Sequence, residues 1–186
     1  MNGPIKYLNQ EEVKAFFSKI TDKRDRALFN VVYKYGLRAS EATLLEPFHV
    51  DLRRGRIYIP RLKNGISGEK PLLRDVKRTL KAYLEVRLPT GEGLFVGREG
   101  SLGYKRISQL FKGYAKKAKI PSAYSVHCLR HSIAVHLLEA GHGVEFVQDH
   151  LGHVNIQNTM VYARVTDRQR KEGFRRMELA GEVVKV

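Results

Sequence analysis

The chain is poor in three things, and each scarcity excludes something. It has one cysteine in 186 residues, Cys128, which rules out an internal disulfide framework. That fits a reducing compartment, so the expectation is a cytoplasmic protein with Cys128 as a small buried residue. No apolar run approaches the roughly 18 residues of a membrane span, and the polar start Met1-Asn2-Gly3-Pro4 lacks the hydrophobic region of a secretory signal. Acidic side chains are scarce: 19 Asp and Glu stand against 34 Lys and Arg, leaving a net charge of +15 and a pI near 10.0. Such an excess is the electrostatic footprint of a surface that meets a polyanion, with a merely soluble basic surface as the bland alternative. What remains is ordinary for one globular domain. At 42% hydrophobic residues the chain can bury a full core, and no linker divides it, so residues 1–186 read as a single domain with a lead-in over 1–8 and a tail over 165–186.

Periodicity predicts mostly helices around a small strand region. Asn9 with Glu12 forms a capping box ahead of the apolar face Val13, Phe16 and Phe17. Leu28, Val31, Val32 and Tyr35 repeat at helical spacing, and Gly36 stands where a left-handed residue ends a helix, which puts Arg38 just past that end. Ser40 reads as the N-cap of a short helix through Leu45, stopped by Pro47, in a turn that would hold Arg38 firmly. From Val50 to Leu73 the pattern changes to a hairpin: Arg56-Ile57-Tyr58-Ile59 is strand-like, Lys63 to Gly68 is its tip, and Lys70-Pro71-Leu72-Leu73 returns. Lys63 would project from that tip.

Val76, Leu80, Tyr83 and Leu84 outline a further helix ended by Pro89-Thr90-Gly91, and Leu94-Phe95-Val96 reads as a brief buried strand. Ile107, Leu110, Phe111, Tyr114 and Ala118 mark an amphipathic helix whose polar face carries Lys105, Arg106, Lys112, Lys116 and Lys117, either simply solvated or in contact with phosphates. The segment from Ser125 to Ala140 is expected to be a helix capped by Ser125, with Ile133, Leu137 and Leu138 facing the core and Gly141 ending it. His127 and Arg130, three apart, share a face at its N-terminal end. Free amides and the helix dipole there already favour an anion.

Taken alone, His-x-x-Arg is an ordinary surface pair. In series the chain has Gly36-Leu37-Arg38-x-Ser40-Glu41, His127-x-x-Arg130-His131, Leu138-Glu139-Ala140-Gly141, Leu151-Gly152-His153 and Thr159-x-x-Tyr162. This series resembles the tyrosine recombinases, also called the phage integrase family, from about Leu8 to Arg164. The resemblance implies a mixed α/β (α+β) catalytic domain, mostly helical with a small antiparallel sheet, in a short single-domain form lacking the family's N-terminal core-binding domain, as in fimbrial phase-switch recombinases. It implies a site-specific DNA recombinase that cleaves and rejoins DNA through a 3′-phosphotyrosyl intermediate, for integration, excision, inversion or resolution. Cys128 and Ser132 depart from the Asp and Thr common around the family's second box, and neither change removes a catalytic group.

The same resemblance assigns roles. Arg38 and Arg130 would clamp the scissile phosphate, a task suited to planar guanidiniums. Tyr162 would be the nucleophile, Lys63 the general acid for the leaving 5′ oxygen, with Lys70 on the same hairpin as the alternative. Lys63 precedes Pro71-Leu72 at what looks like the family's usual spacing. His127 would assist proton transfer at the tyrosine, His153 would hydrogen-bond the phosphate, and Glu41 would orient Arg38. His131, His136, His142 and His150 read as structural or surface histidines. Neither a cofactor nor a metal is implied: although six histidines fall between His127 and His153, Cys128 lies on another helix face and Arg130 would repel a cation. The implied partners are double-stranded DNA, three further copies of the chain on two DNA sites, and accessory DNA-binding proteins, with no membrane. The tail reads either as a frayed terminus or, as the resemblance implies, as a segment that docks on a neighbouring protomer. Two other readings stand beside this one, a regulator that holds DNA without cutting it and a topoisomerase that relaxes DNA without synapsis.

Overall fold

A computed structural model describes residues 5–62, 65–163 and 174, 175 and 177. The tail over 165–186 and its docking therefore fall outside the described residues but for Phe174, Arg175 and Met177, and so does Lys63 itself. Eight helices and two small antiparallel sheets are present among the described residues. The first helices are α1 (Gln10–Ser18), α2 (Lys23–Lys34) and the single turn α3 (Ala39–Ala42). A short 3-10 turn at Pro47–His49 leads into the three-stranded sheet β1 (Val50–Asp51), β2 (Arg56–Ile59) and β3 (Gly68–Pro71), in that order. Then come α4 (Arg74–Leu84), the two-stranded pair β4 (Val96–Gly97) and β5 (Gly100–Ser101), α5 (Tyr104–Lys117), α6 (His127–Glu139), α7 (Val144–Leu151) and α8 (Gln157–Ala163).

Local chemistry explains most of the boundaries. Both halves of the Asn9–Glu12 capping box form, at 2.9 and 2.8 Å, so two orphan amides at the start of α1 are satisfied reciprocally. Gly36 ends α2 with φ +59°, the left-handed conformation in which a side chain is disfavoured. The β2–β3 register pairs Ile57 with Lys70 and Tyr58 with Glu69, and the alternation along β2 buries Ile57 and Ile59 while leaving Arg56 and Tyr58 outside.

Three boundaries depart from the sequence expectation. The α3 turn is capped by Arg38 rather than Ser40 and stops at Ala42, because the Glu41 carboxylate turns back onto the Arg38 amide. The α6 helix begins at His127 behind Val126, which is itself helical, so Ser125 contributes its carbonyl to the Cys128 amide and not a side-chain cap. Leu94 and Phe95 are buried but lie outside any strand, Leu94 N donating to Leu45 O and Phe95 O accepting from Leu102 N; the strand is only Val96–Gly97.

Two apolar clusters hold these elements. The larger centres on Phe16, Phe29 and Phe111, whose rings meet at 5.1 to 6.3 Å between centroids. The smaller comprises Ile133, Ala134, Val135, Leu138, Val147, Leu151 and Tyr162. Helix α6 supplies residues to both and is buried nearly all round, well beyond the stripe its sequence predicts, which marks it as the central helix. Cys128 lies within it, and burial pushes its thiol up to about 12, an unreactive packing residue.

Candidate active site

The site begins where α2 ends. A Cβ on Gly36 would lie 2.4 Å from Leu151 Cδ2, so the residue must be glycine both for its φ and for the close approach of α7. That contact brings the loop carrying Arg38 against the C-terminal end of α7. Glu41, fully buried, then accepts from the Arg38 amide at 2.9 Å and from Arg38 Nη1 at 2.7 Å.

Two more guanidiniums converge on the same carboxylate. Arg61 Nη1 lies 2.8 Å from Glu41 Oε2, and Arg130 Nη1 lies 3.6 Å from it. Arg61 also donates to the carbonyls of Tyr35 (2.9 Å), Gly36 (3.3 Å) and His150 (3.0 Å). Arg130 donates to the carbonyls of Gly36 and of Leu151, the latter at 3.1 Å. Three guanidiniums around one carboxylate leave two positive charges in excess. The side chains of Arg61 and Arg130 are 1% exposed and that of Arg38 is 38% exposed, so the open edge of the cluster is Arg38.

Titration reflects this crowding. Burial alone would push the Glu41 carboxyl up, but the Arg38 amide, Arg61 and Arg130 outweigh it and hold it below the usual range. Burial, then repulsion from Arg38 and Arg61, brings Arg130 down to about 10.

Tyr162 on α8 is 3% exposed within the smaller cluster. Its hydroxyl sits 2.8 Å from His131 Nδ1. Burial raises its pKa, opposed by the nearby charges of Arg130 and Arg38. The His131 ring in turn meets that of His127 edge to face at 4.4 Å. Sequence reasoning put His127 beside the tyrosine and read His131 as structural; the geometry makes His131 the tyrosine's direct partner, with His127 one ring behind. The i, i+4 spacing of the two histidines was visible in the sequence, but which of them faces α8 depends on how α8 packs.

His153 follows Gly152, which ends α7 with φ +68°. Its Nδ1 lies 2.8 Å from Thr159 Oγ1 at the start of α8. Burial, then the charges of Arg130, Arg38 and Arg61, brings it down to about 4. Two further histidines anchor neighbouring elements: His136 Nδ1 meets the Tyr33 hydroxyl at 2.8 Å and His150 Nε2 meets the Lys34 carbonyl at 2.8 Å. Among the described residues no three His, Cys, Asp or Glu side chains are disposed to hold a metal ion, and no helix is long and apolar enough to cross a membrane.

The free helix start expected at His127 is not wholly free. The amides of Cys128 and Leu129 donate to the carbonyls of Ser125 and Val126, in a tight first turn that leaves less for an anion than the sequence promised. Charge at the site comes instead from the guanidiniums.

The flanks of Lys63 are placed. Ile66 N donates to Gly152 O at 3.0 Å, and Gly65 pairs with His153, so the hairpin tip is seated on the same turn that carries His153. Lys70 is held on the outer strand by Asp149 of α7.

These histidines give a pH dependence. His131, His150 and His153 are each lowered to about 4, first by burial. Between the ordinary histidine value near 6.5 and about 4 the unfolded chain therefore binds more protons than the folded one, so stability falls on acidification through that window. Thermal melts at pH 5 are expected to lie roughly 5 °C or more below those at pH 7.5; equal melting temperatures would show that the rings are not held neutral.

Comparison with known proteins gives the family and the fold. The model of the Phage integrase family matches residues 6–169, and the chain belongs to that family. It is 38% identical over 167 residues to the tyrosine recombinase XerA of Thermococcus kodakarensis, covering 87% of this chain and 58% of that protein. It is 32% identical to the type 1 fimbriae regulatory protein FimE of Escherichia coli K12, covering 84% of each. The crystal structure of a XerA recombinase superposes with a TM-score of 0.81 at 25% identity, over 95% of this chain and 65% of that one. A Tn1549 transposon integrase in complex with transposon right end DNA shares the fold, with a TM-score of 0.79 at 21% identity, over 96% of this chain and 67% of that one. The chain thus spans a little under two thirds of the length of its XerA relatives.

Proposed function

We propose that this chain is the catalytic domain of a site-specific DNA recombinase that breaks and rejoins double-stranded DNA through a covalent link between Tyr162 and a 3′ phosphate. The observation that carries this is the arginine cluster. Arg38, Arg61 and Arg130 share one carboxylate, and the charges of Arg130 and Arg38 reach the Tyr162 hydroxyl. A phosphodiester entering at the exposed Arg38 would meet the two charges that Glu41 does not balance, with its phosphorus near the one phenol the cluster can activate.

In the forward step the Tyr162 oxygen bonds to phosphorus, the bond from phosphorus to the 5′ oxygen breaks, the phenolic proton passes to His131 Nδ1, and Lys63 gives a proton to the departing 5′ oxygen. His131 is a weak base in the free protein; the negative charge of bound phosphate would raise it. His153 donates to a phosphate oxygen and His127 supports His131. Rejoining reverses the step with a 5′ hydroxyl from a second DNA end, in a tetramer on two sites. Fixed guanidinium charge is the catalyst of this reading, so chelators leave it intact. The exposed face of α5, with Lys105, Arg106, Lys112 and Lys116, would follow the DNA backbone.

The test is covalent trapping. The protein is incubated in EDTA with supercoiled DNA carrying the sequences that flank its own gene, denatured, and examined for DNA-linked protein. The expected result is an adduct whose DNA-linked peptide contains Tyr162. DNA binding without any adduct would favour a regulator that does not cut, and relaxed topoisomers without joined sites would favour a topoisomerase.

A further inference from the structure

We propose that Arg61 is the positioning residue of the β2–β3 hairpin, seating the general acid Lys63 over the scissile phosphate; the proposal rests on the recombinase reading above. Arg61 is the only member of the guanidinium cluster whose backbone belongs to the hairpin. Its side chain reaches down to four fixed groups: the Glu41 carboxylate and the carbonyls of Tyr35, Gly36 and His150.

Arg130 shows what this adds. It too bridges Gly36 to the end of α7, through the Gly36 and Leu151 carbonyls, and it too lies against Glu41. The joint between the α2–α3 loop and α7 is therefore made without Arg61. Arg61 instead ties the hairpin to that joint, two residues before Lys63.

The far side of the tip is tied as well. Ser67 Oγ accepts from the Arg61 amide at 2.8 Å, Gly65 N donates to Leu62 O at 2.9 Å, and Ile66 N donates to Gly152 O at 3.0 Å. The described residues on both sides of the tip are thus anchored, Arg61 by its buried guanidinium and Ile66 by the Gly152 carbonyl. The seat is exacting, since a Cβ on Gly152 would lie 2.7 Å from Ile66 O and 3.0 Å from Arg61 Nε. An acid on a hairpin tip loses effective concentration quickly when its anchor is released, and displacement by about 1 Å can cost a hundredfold in rate.

Chemistry separates positioning of the acid from general support of the site. If the 5′ bridging oxygen is replaced by sulfur, the leaving thiolate departs without a proton, so a variant defective only in the general acid cleaves the sulfur substrate normally. Arg61→Met is expected to form adduct on ordinary DNA roughly a hundredfold or more slowly than wild type, the scale of a general-acid contribution. On the sulfur substrate it is expected to recover to within about tenfold, as Lys63→Ala does on the same reasoning. Arg61→Lys keeps the buried charge opposite Glu41 and so serves as the second variant should loss of that charge destabilise the Met protein, but an ammonium cannot span all four partners. It is expected to show the same sulfur-dependent recovery. A deficit of equal size on both substrates in a folded variant, or no deficit on ordinary DNA, would overturn the proposal. Wild type failing on both substrates would instead overturn the recombinase reading.

Discussion

Replacing Tyr162 with phenylalanine is expected to abolish the covalent adduct, by at least about 10⁴-fold, while leaving the fold and DNA binding in place. The change removes one oxygen. The ring still fills its place among Ile133, Leu138, Val147 and Leu151, so no cavity forms. What is lost is the 2.8 Å contact to His131 Nδ1, and His131 is only half-buried and able to find water. The stability cost should then be about 1 kcal/mol, or roughly 2–4 °C in melting temperature for a domain of this size. DNA affinity should hardly move, because the neutral phenol carries none of the charge that binds phosphate. Denaturing gels for the adduct, gel shifts for binding and a thermal melt measure all three. An adduct that persists in the variant would mean that another side chain is the nucleophile, and a collapse of the melt would mean that Tyr162 is chiefly a core residue.

Local features of the site were legible in the sequence, and long-range ones were not. The capping box of Asn9 and Glu12, the turn at Gly36 and the pairing of Glu41 with Arg38 each involve residues within three or four positions, where backbone geometry leaves few alternatives. The family's ordered boxes gave Arg130, His153 and Tyr162 their places in one site, which the structure brings together at the junction of α2, α6, α7 and α8.

Arg61 was invisible because its partners are 20 to 89 positions away, and an arginine at the end of an amphipathic strand ordinarily points into water. The contact of His131 with Tyr162 was not legible because helical spacing reports which residues share a face and not which neighbour that face meets. The engagement of Lys70 by Asp149 was likewise invisible, since the two lie 79 positions apart.

Glu41→Gln should be the most damaging change for stability. Glutamine keeps the shape and can still accept from the Arg38 amide, so the loss is almost purely that of charge. It leaves Arg61 and Arg130, each 1% exposed, with Arg38 as a third cation and nothing to balance them. Removing one partner of a buried ion pair costs about 3–5 kcal/mol, a large part of the roughly 5–15 kcal/mol that holds a domain together. The melting temperature is expected to fall by roughly 10 °C or more.

The sign of the pH dependence identifies the cause. The Glu41 carboxyl is lowered in the folded state, so its contribution is fully present above the unfolded value near 4.3 and is lost only as pH falls through the folded one. The gap between wild type and variant should therefore be constant from pH 6 to 8 and begin to narrow only as pH falls through the unfolded carboxyl value near 4.3 towards the lower folded one. Polyanions supply the second signature. Sulfate or duplex DNA entering the cluster would replace part of the missing charge, and should raise the melting temperature of the variant more than that of wild type. A variant that melted with wild type would show that the three guanidiniums do not need their carboxylate. One destabilised but indifferent to polyanions would show that the excess charge is closed to phosphate.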